Sequence, residues 1–492
     1  MEGSKGKGRR TAGGRLGATL WRGVPAAGLL ALGGLLAPAP GDAQQPPPAD
    51  HVILISVDGL RPEFYRDERW PAPQMQIMAA QGVHALAVRG VTPTVTYPSH
   101  TTMVTGALPA RHGVLHNRPF EPGGASGVWY MEHTDIKVPT LWDAVGAAGG
   151  TSSGISWPVS AGADIDWNIP EFWSVTGTEG ELFGPAAQTF ALRSRVTPVG
   201  LLEEIEAESL GPFPNHYWGR NLSREDVAGT MAGHIIETYR PNLLVIHLNQ
   251  TDYLQHAYGR EHPEVRLAVG AVDGAINRMV ESARRAGILD RTAFVVTGDH
   301  GFITVDTRMS PNVWLVQAGL HENRQNRGNW RAAFHTGGGS AFLRLRDPDD
   351  HEAVEMVRRI LAELPPETRA LFRVVERDEL DLAGADPEAV LALAAAPGVN
   401  IGGETGGPDV YPGSGGTHGY FPAFPQVHTG FVAWGAGVGS GGVVERMNLT
   451  DVAPVVAALL GLDFTAPDGE LPDGILATEA GTPSPPPGEL RR

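Results

Sequence analysis

The chain has 492 residues, 42% hydrophobic and 19% charged, enough to bury a large core with the composition of an ordinary folded protein. It has no cysteine, which excludes disulfides, thiolate metal sites and cysteine nucleophiles. A formal net charge of −17 argues against stable nucleic-acid binding, which needs basic patches, but admits a phosphate substrate wherever bound cations invert the local charge.

Lys5, Lys7, Arg9, Arg10, Arg15 and Arg22 make a basic start, an apolar run follows from Ala26 to Ala37, and Gly41-Asp42-Ala43 offers small residues for cleavage before Gln44. Residues 1–43 therefore read as an export signal, with a periplasmic or secreted product. The apolar run is too short for a bilayer span, so the mature chain is expected to have none. Residues 44–50, with three prolines, read as a linker, and the Pro-rich residues 481–492 as a disordered tail.

His51–Val57 is an unbroken apolar run rich in β-branched residues, the pattern of a strand buried on both faces, and it ends at Asp58-Gly59. Helices are expected at 71–81 and 139–148, with a short strand at 153–157. Between them lies the hydroxyl-rich stretch Thr94–Gly106. A helix beginning there would set Thr94, Thr96 or Ser99 beside free backbone N–H groups, where an anion can be held and a hydroxyl can attack it. Residues 160–195 show no clear period.

Further helices are expected at 198–209, 224–239 and 263–286. Two more buried strands, 242–248 and 292–297, run into Thr251-Asp-Tyr-Leu-Gln-His256 and Gly298-Asp-His-Gly301. Three apolar strands alternating with helices, each leading to an acidic residue, predict an α/β fold: a mostly parallel central sheet flanked by helices, with its site at the strand C-termini. Residues 51–480 would form this domain. A smaller inserted subdomain at about 345–400 would contain helices at 350–364 and 387–395. A strand at 431–434 and a helix at 449–460 close the domain.

The strand-end carboxylates and imidazoles are Asp58, Asp252, His256, Asp299, His300 and, from a Gly-rich loop, His418. Asp252 and His256 are four residues apart, so a helical turn places both on one face. Carboxylate and imidazole ligands without sulfur suit zinc, and manganese or iron less clearly. His112, His116 and His247 are not at strand ends and read as structural. His335 before Gly337-Gly-Gly339 is a weak phosphate cradle, because no Lys-Ser/Thr follows on a helix.

Taken in order, Asp58-Gly59, Thr96-Tyr-Pro-Ser-His100, His112-Gly113, His116-Asn117, Asp252 to His256, Gly298 to Gly301 and Thr417-His-Gly419 resemble the alkaline phosphatase superfamily, and within it the nucleotide pyrophosphatase/phosphodiesterase branch. The resemblance covers roughly residues 50–465. It implies an alkaline-phosphatase-like fold and two Zn2+ per chain. Thr96 would be the nucleophile and would ligate one zinc with Asp58, Asp299 and His300, while Asp252, His256 and His418 hold the other. Asn117 would donate to a phosphoryl oxygen, together with the Tyr97 backbone N–H. Tyr97, at a position commonly Phe in the family, would lie beside the leaving-group slot.

The substrate implied is a small phosphate diester or nucleotide. Some family phosphomonoesterases grip a dianionic phosphoryl group with Lys and Arg, whereas Gly154–Ala161 has no basic residue, which favours a diester or pyrophosphate. The alternatives are a phosphomonoesterase of the same fold and an inactive, metal-stabilised binding protein; a sulfatase would need a Cys/Ser-x-Pro-x-Arg context that is absent.

Overall fold

The three apolar strands lie side by side. In a computed structural model describing residues 47–121, 128–176, 181–182, 184–321 and 329–478, β1 (His51–Val57) pairs in parallel with both β5 (Leu243–Leu248) and β6 (Thr292–Thr297). The other strands of this sheet are β2 (Val83–Ala85), β3 (Ser152–Ile155), β4 (Trp167–Ile169), β11 (Phe431–Gly435) and β12 (Gly442–Val444), in the order β12-β2-β11-β6-β1-β5-β3-β4. Only β11 runs against its neighbours. The fold is the expected mostly parallel α/β sheet. The expected export signal (1–43), the first part of the linker and the tail (481–492) lie outside the described residues.

Strand periodicity divides the core in two. Ile53, Ile55 and Val57 of β1 face one helical layer. It is built from α1 (Pro73–Gln81), α3 (Ser223–Thr238) and α5 (Pro263–Arg285). Val52 and Leu54 face the other layer, with α2 (Thr96–Thr105) and α7 (Val452–Leu460). A seven-residue strand buried at every position needs apolar residues at both parities, and that is why its sequence is unbroken rather than alternating.

A second core lies under a four-stranded antiparallel sheet of β7 (Ala332–Thr336), β8 (Ser340–Leu345), β9 (Phe372–Val375) and β10 (Leu391–Ala395), ordered β7-β8-β10-β9 and packed on α6 (His351–Glu363). The region expected as an inserted subdomain, about 345–400, holds α6, β9 and β10, and the sheet also takes β7 and β8 from upstream. The Ala-rich stretch 387–395 is not the expected helix. Leu391 and Leu393 enter one apolar cluster while Ala392 and Ala394 enter another, so both faces are buried at strand period. Pairing with β8 and β9 overrides alanine's helix propensity. The glycine run 337–339 is the turn from β7 to β8. A Cβ on Gly339 would lie 2.1 Å from the Tyr420 ring, so close packing explains a residue of the supposed phosphate cradle.

One buried carboxylate couples the layers to the site. Glu225, in the first turn of α3, accepts the backbone N–H groups of Asn249 (2.9 Å) and Gln250 (2.7 Å), where α4 (Gln250–Tyr258) begins without a side-chain cap of its own. It holds the start of the helix that carries Asp252 and His256. Glu225→Ala strands two buried donors and should cost about 2 kcal/mol, read as a lower urea midpoint at unchanged m; Glu225→Gln, which still accepts, should lose less.

Candidate active site

Asp58 directly follows β1, Asp299 and His300 follow β6, and α4 after β5 carries Asp252 and His256. Adjacent parallel strands thus deliver five of the expected ligands to one end of the sheet, and His418 joins from the loop before β11. They form two clusters, Asp58-Asp299-His300 and Asp252-His256-His418, within each of which the ligand atoms lie within 4.8 Å of one another. The His300 and His418 rings stack at 3.6 Å and 8°, setting the clusters against each other.

Each histidine turns the same nitrogen outward. Nδ1 of His418 meets the Thr94 carbonyl (2.9 Å), Nδ1 of His256 the Gly416 carbonyl (2.9 Å) and Nδ1 of His300 the Gly301 carbonyl (3.2 Å). A backbone acceptor at Nδ1 places the proton there and leaves the Nε2 lone pair for a cation. Those Nε2 atoms face carboxylates: His300 lies 3.1 Å from Asp299, His256 3.3 Å and His418 3.6 Å from Asp252.

The carboxylates are divided in the same way. Asp299 Oδ1 accepts the N–H groups of Gly59 and His300, both at 2.9 Å, and Oδ2 is left without a hydrogen bond. Gly59 makes its contact at φ +71, and a Cβ there would lie 2.7 Å from Gln255 Nε2. Asp58 Oδ2 meets His247 Nε2 at 3.1 Å while Oδ1 is buried without a partner. Asp252 Oδ1 and His300 Nε2 are likewise buried and unpartnered. Orphaned carboxylate oxygens facing imidazole lone pairs are what a divalent cation satisfies, and the oxygen–nitrogen donor set fits zinc. Burial, and after it the charges of Asp252 and Asp299, raise the Asp58 pKa well above the usual carboxylate range. Asp299 is held well below that range: its burial works the other way but is outweighed by His300.

Thr96 is the first residue of α2, and the helix has no side-chain cap at Val95. Asn117 supplies one from outside, its Oδ1 accepting the Tyr97 N–H at 2.9 Å. That N–H is therefore already spent, contrary to the expectation that it donates to substrate, and Asn117 is left with its Nδ2 amino group to offer. Thr96, Tyr97, Asn117, Asp58, Asp252, His256 and His418 all line one cavity of about 580 Å3. Asp299 and His300 lie behind them, fully buried.

Sequence reasoning set His247 aside, yet it bridges Asp58 and Glu171, with Nδ1 3.4 Å from the Glu171 carboxylate. Burial alone would lower its pKa, but Glu171 first, and then Asp58, raise it well above the ordinary value. The available signal was a lone histidine near the end of a strand otherwise wholly apolar. Residues 160–195, which show no clear period in sequence, supply Pro170, Glu171, Phe172, Trp173, Pro185, Gln188 and Leu192 to the cavity, the last three from an unexpected helix, Pro185–Arg193. None of the described residues between 320 and 335 lines it, and 322–328 lie outside the described residues. Arg118, Arg220 and Arg224, which sequence reasoning did not single out, also line it.

The sheet and the site at its strand ends place the chain among the alkaline-phosphatase-like α/β proteins. Within them it belongs to the type I phosphodiesterase / nucleotide pyrophosphatase family, whose family model matches residues 52–421. Human ectonucleotide pyrophosphatase/phosphodiesterase family member 7 is 27% identical over 280 residues, 57% of this chain and 54% of the relative. An uncharacterized pyrophosphatase/phosphodiesterase of Schizosaccharomyces pombe is 26% identical over 272 residues, 54% of this chain and 47% of the relative. The chain thus matches about half the length of these relatives. The solved structure of human ectonucleotide pyrophosphatase/phosphodiesterase 5 superposes with a TM-score of 0.59 at 19% identity, covering 85% of this chain and 97% of that one. An inactive murine form in complex with AMP gives 0.58 at 21% identity, covering 85% and 96%.

Because His247 fixes the orientation of Asp58, His247→Ala should weaken metal affinity about 10- to 100-fold, measured by competition with a chromogenic chelator.

Proposed function

We propose that this chain is an exported two-zinc hydrolase that cleaves phosphodiester or pyrophosphate bonds of small substrates, nucleotides among them, through a phosphothreonine at Thr96. The observation that carries this reading is the pair of clusters with orphaned ligand atoms, abutting through the His300–His418 stack and opening on the same cavity as Thr96. Asp58, Thr96, Asp299 and His300 would hold one zinc, and Asp252, His256 and His418 the other. Bound zinc would supply Lewis-acid stabilisation of developing negative charge and lower the pKa of a hydroxyl in its reach.

The chain's own residues then divide the work. The Thr96 hydroxyl attacks phosphorus and loses its proton, the bond from phosphorus to the leaving oxygen breaks, and water later hydrolyses the threonine ester to restore the hydroxyl. Asn117 Nδ2 donates to a non-bridging oxygen, held in place by the bond from the Tyr97 N–H to its Oδ1. Tyr97, Trp129 and Trp173 form an aromatic wall, with ring centroids 5.0–6.4 Å apart, fit to stack on a flat leaving group or nucleobase. The AMP held by the murine relative agrees with that reading. Of Gly154–Ala161, only neutral Ser156 reaches the cavity, but Arg118, Arg220 and Arg224 line it elsewhere, so the preference for a diester over a dianionic monoester rests on Asn117 as a single neutral donor. Export rests on the sequence of residues 1–43. No helix among the described residues is long and apolar enough to cross a membrane.

The purified chain should hydrolyse bis-p-nitrophenyl phosphate faster than p-nitrophenyl phosphate; the reverse order would make it a phosphomonoesterase. Thr96→Ala should abolish turnover while the fold, by circular dichroism, and most bound metal persist. Asn117→Ala should lower kcat about 10²- to 10³-fold, the cost of one lost donor to the developing charge. Dialysis against a chelator should remove activity and zinc restore it, whereas full activity in metal-free protein would reject the two-metal reading.

A further inference from the structure

Three arginines are buried among the described residues, and two are ion-paired. Arg61 bonds Gln255 and the Arg260 carbonyl and pairs with Glu63 and Glu261. Arg344 pairs with Asp386 and Glu388. Arg224 is the exception. It is 7% exposed, lines the active-site cavity and stacks its guanidinium 4.7 Å or less from a single ring, at 4.6 Å over Tyr217, yet among the described residues its guanidinium has no hydrogen bond and no ion pair.

Burial works to lower the Arg224 pKa, but Tyr217 and Tyr253, and then the charges of Glu171 and Glu225, hold it above the ordinary value; neither carboxylate forms an ion pair with Arg224. Glu225 Oε1 accepts the N–H groups that begin α4, and Glu171 faces His247. A guanidinium keeps its proton at any physiological pH and carries five donors. Stacking on one ring leaves those donors without acceptors, and a buried donor without an acceptor is costly. The supporting ring is itself fixed, since Tyr217 Oη and Ser156 Oγ share a hydrogen bond of 2.5 Å and Ser156 sits at φ 50, a conformation rare for a side chain of its kind. On the same cavity, the Tyr97 hydroxyl is also buried without a partner. Arg220, exposed on the rim, adds a second positive charge.

Resting on the phosphodiesterase reading for the identity of the scissile group, we propose that Arg224 forms a second anion-binding subsite, so that the preferred substrates carry a phosphate or carboxylate in addition to the phosphorus under attack. The guanidinium fork matches either anion in two-point contact. The diester phosphate and the second anion then occupy different parts of one cavity, and a diester whose arms carry no charge leaves Arg224 without its anion.

Unreactive phosphonates test this without turnover. Alkylphosphonates with two to six methylenes are compared, by calorimetry on the zinc-loaded protein, with α,ω-bisphosphonates and ω-carboxyphosphonates of the same lengths. At one length or more, a charged arm should tighten Kd at least tenfold over the alkyl arm, and the larger gain identifies the preferred anion. Arg224→Gln should reduce that gain below twofold, while Arg224→Lys should keep part of it. Equal affinities for charged and alkyl arms at every length would overturn the proposal, and so would a gain that survives Arg224→Gln, which would be metal chelation. Should Arg224→Gln fail to fold, the wild-type series and the lysine variant still decide. Hydrolysis of bis-p-nitrophenyl phosphate by the same preparation reads the underlying function separately: no turnover with an intact binding gain removes the phosphodiesterase reading and leaves the subsite.

Discussion

Three carboxylates, from Asp58, Asp252 and Asp299, are carried to one buried spot by β1, β5 and β6 lying side by side, and much else in the molecule follows from that electrostatic demand. Negative charges in a low-dielectric pocket either gain protons or gain cations. The protein supplies no lysine or arginine to these clusters. It supplies imidazoles instead, each with its Nδ1 committed to a backbone carbonyl. The arrangement commits one oxygen each of Asp58 and Asp299 to the protein and leaves Oδ1 of Asp58, Oδ1 of Asp252 and Oδ2 of Asp299 unmatched. Backbone, helix starts and the Glu171-His247 pair all act to keep that geometry from relaxing.

The parts legible in the sequence are those set by local rules. A strand buried on both faces must be apolar throughout, so β1, β5 and β6 stand out, and the acidic residues that follow them stand out by contrast. The six ligand candidates could be named for the same reason, while their division into Asp58-Asp299-His300 and Asp252-His256-His418 follows from the resemblance to a known family. What was not legible depends on partners distant in sequence. Leu391–Ala395 carries a helix-forming composition and becomes a strand because β8 and β9 flank it. His247 has no local mark beyond its polarity; its role exists only because Ser56 is its register partner and Asp58 lies just past the end of that pairing. Arg224 is one of many arginines in the chain, and only the fold shows that, of those buried among the described residues, it alone has neither a hydrogen bond nor an ion pair for its guanidinium.

The two halves of the cavity differ in how they are held. The reactive half stands on strand ends and on the first turns of α2 and α4, where hydrogen bonds from Gly59, His300, Asn117 and Glu225 leave little freedom. The opposite wall comes mainly from residues 170–224, an aromatic and arginine-bearing segment between β4 and α3. It is held largely by bonds within itself, among them those between Gln188 and Ser174 and the Trp218 Nε1 bond to Thr189 at 2.9 Å, and by the Ser156–Tyr217 hydrogen bond.

Thr94 links these facts through its backbone. Its N–H and hydroxyl both reach the Tyr420 carbonyl, and its own carbonyl orients His418, two residues before the threonine that lies at the head of α2. One turn of chain therefore times both clusters like a shared axle: displacing it would move a ligand of one and the hydroxyl at the other together. The residues that choose what enters the cavity hang from a different segment. Selectivity in such a molecule can drift, segment by segment, while the chemical step stays geared to a part that tolerates almost no play.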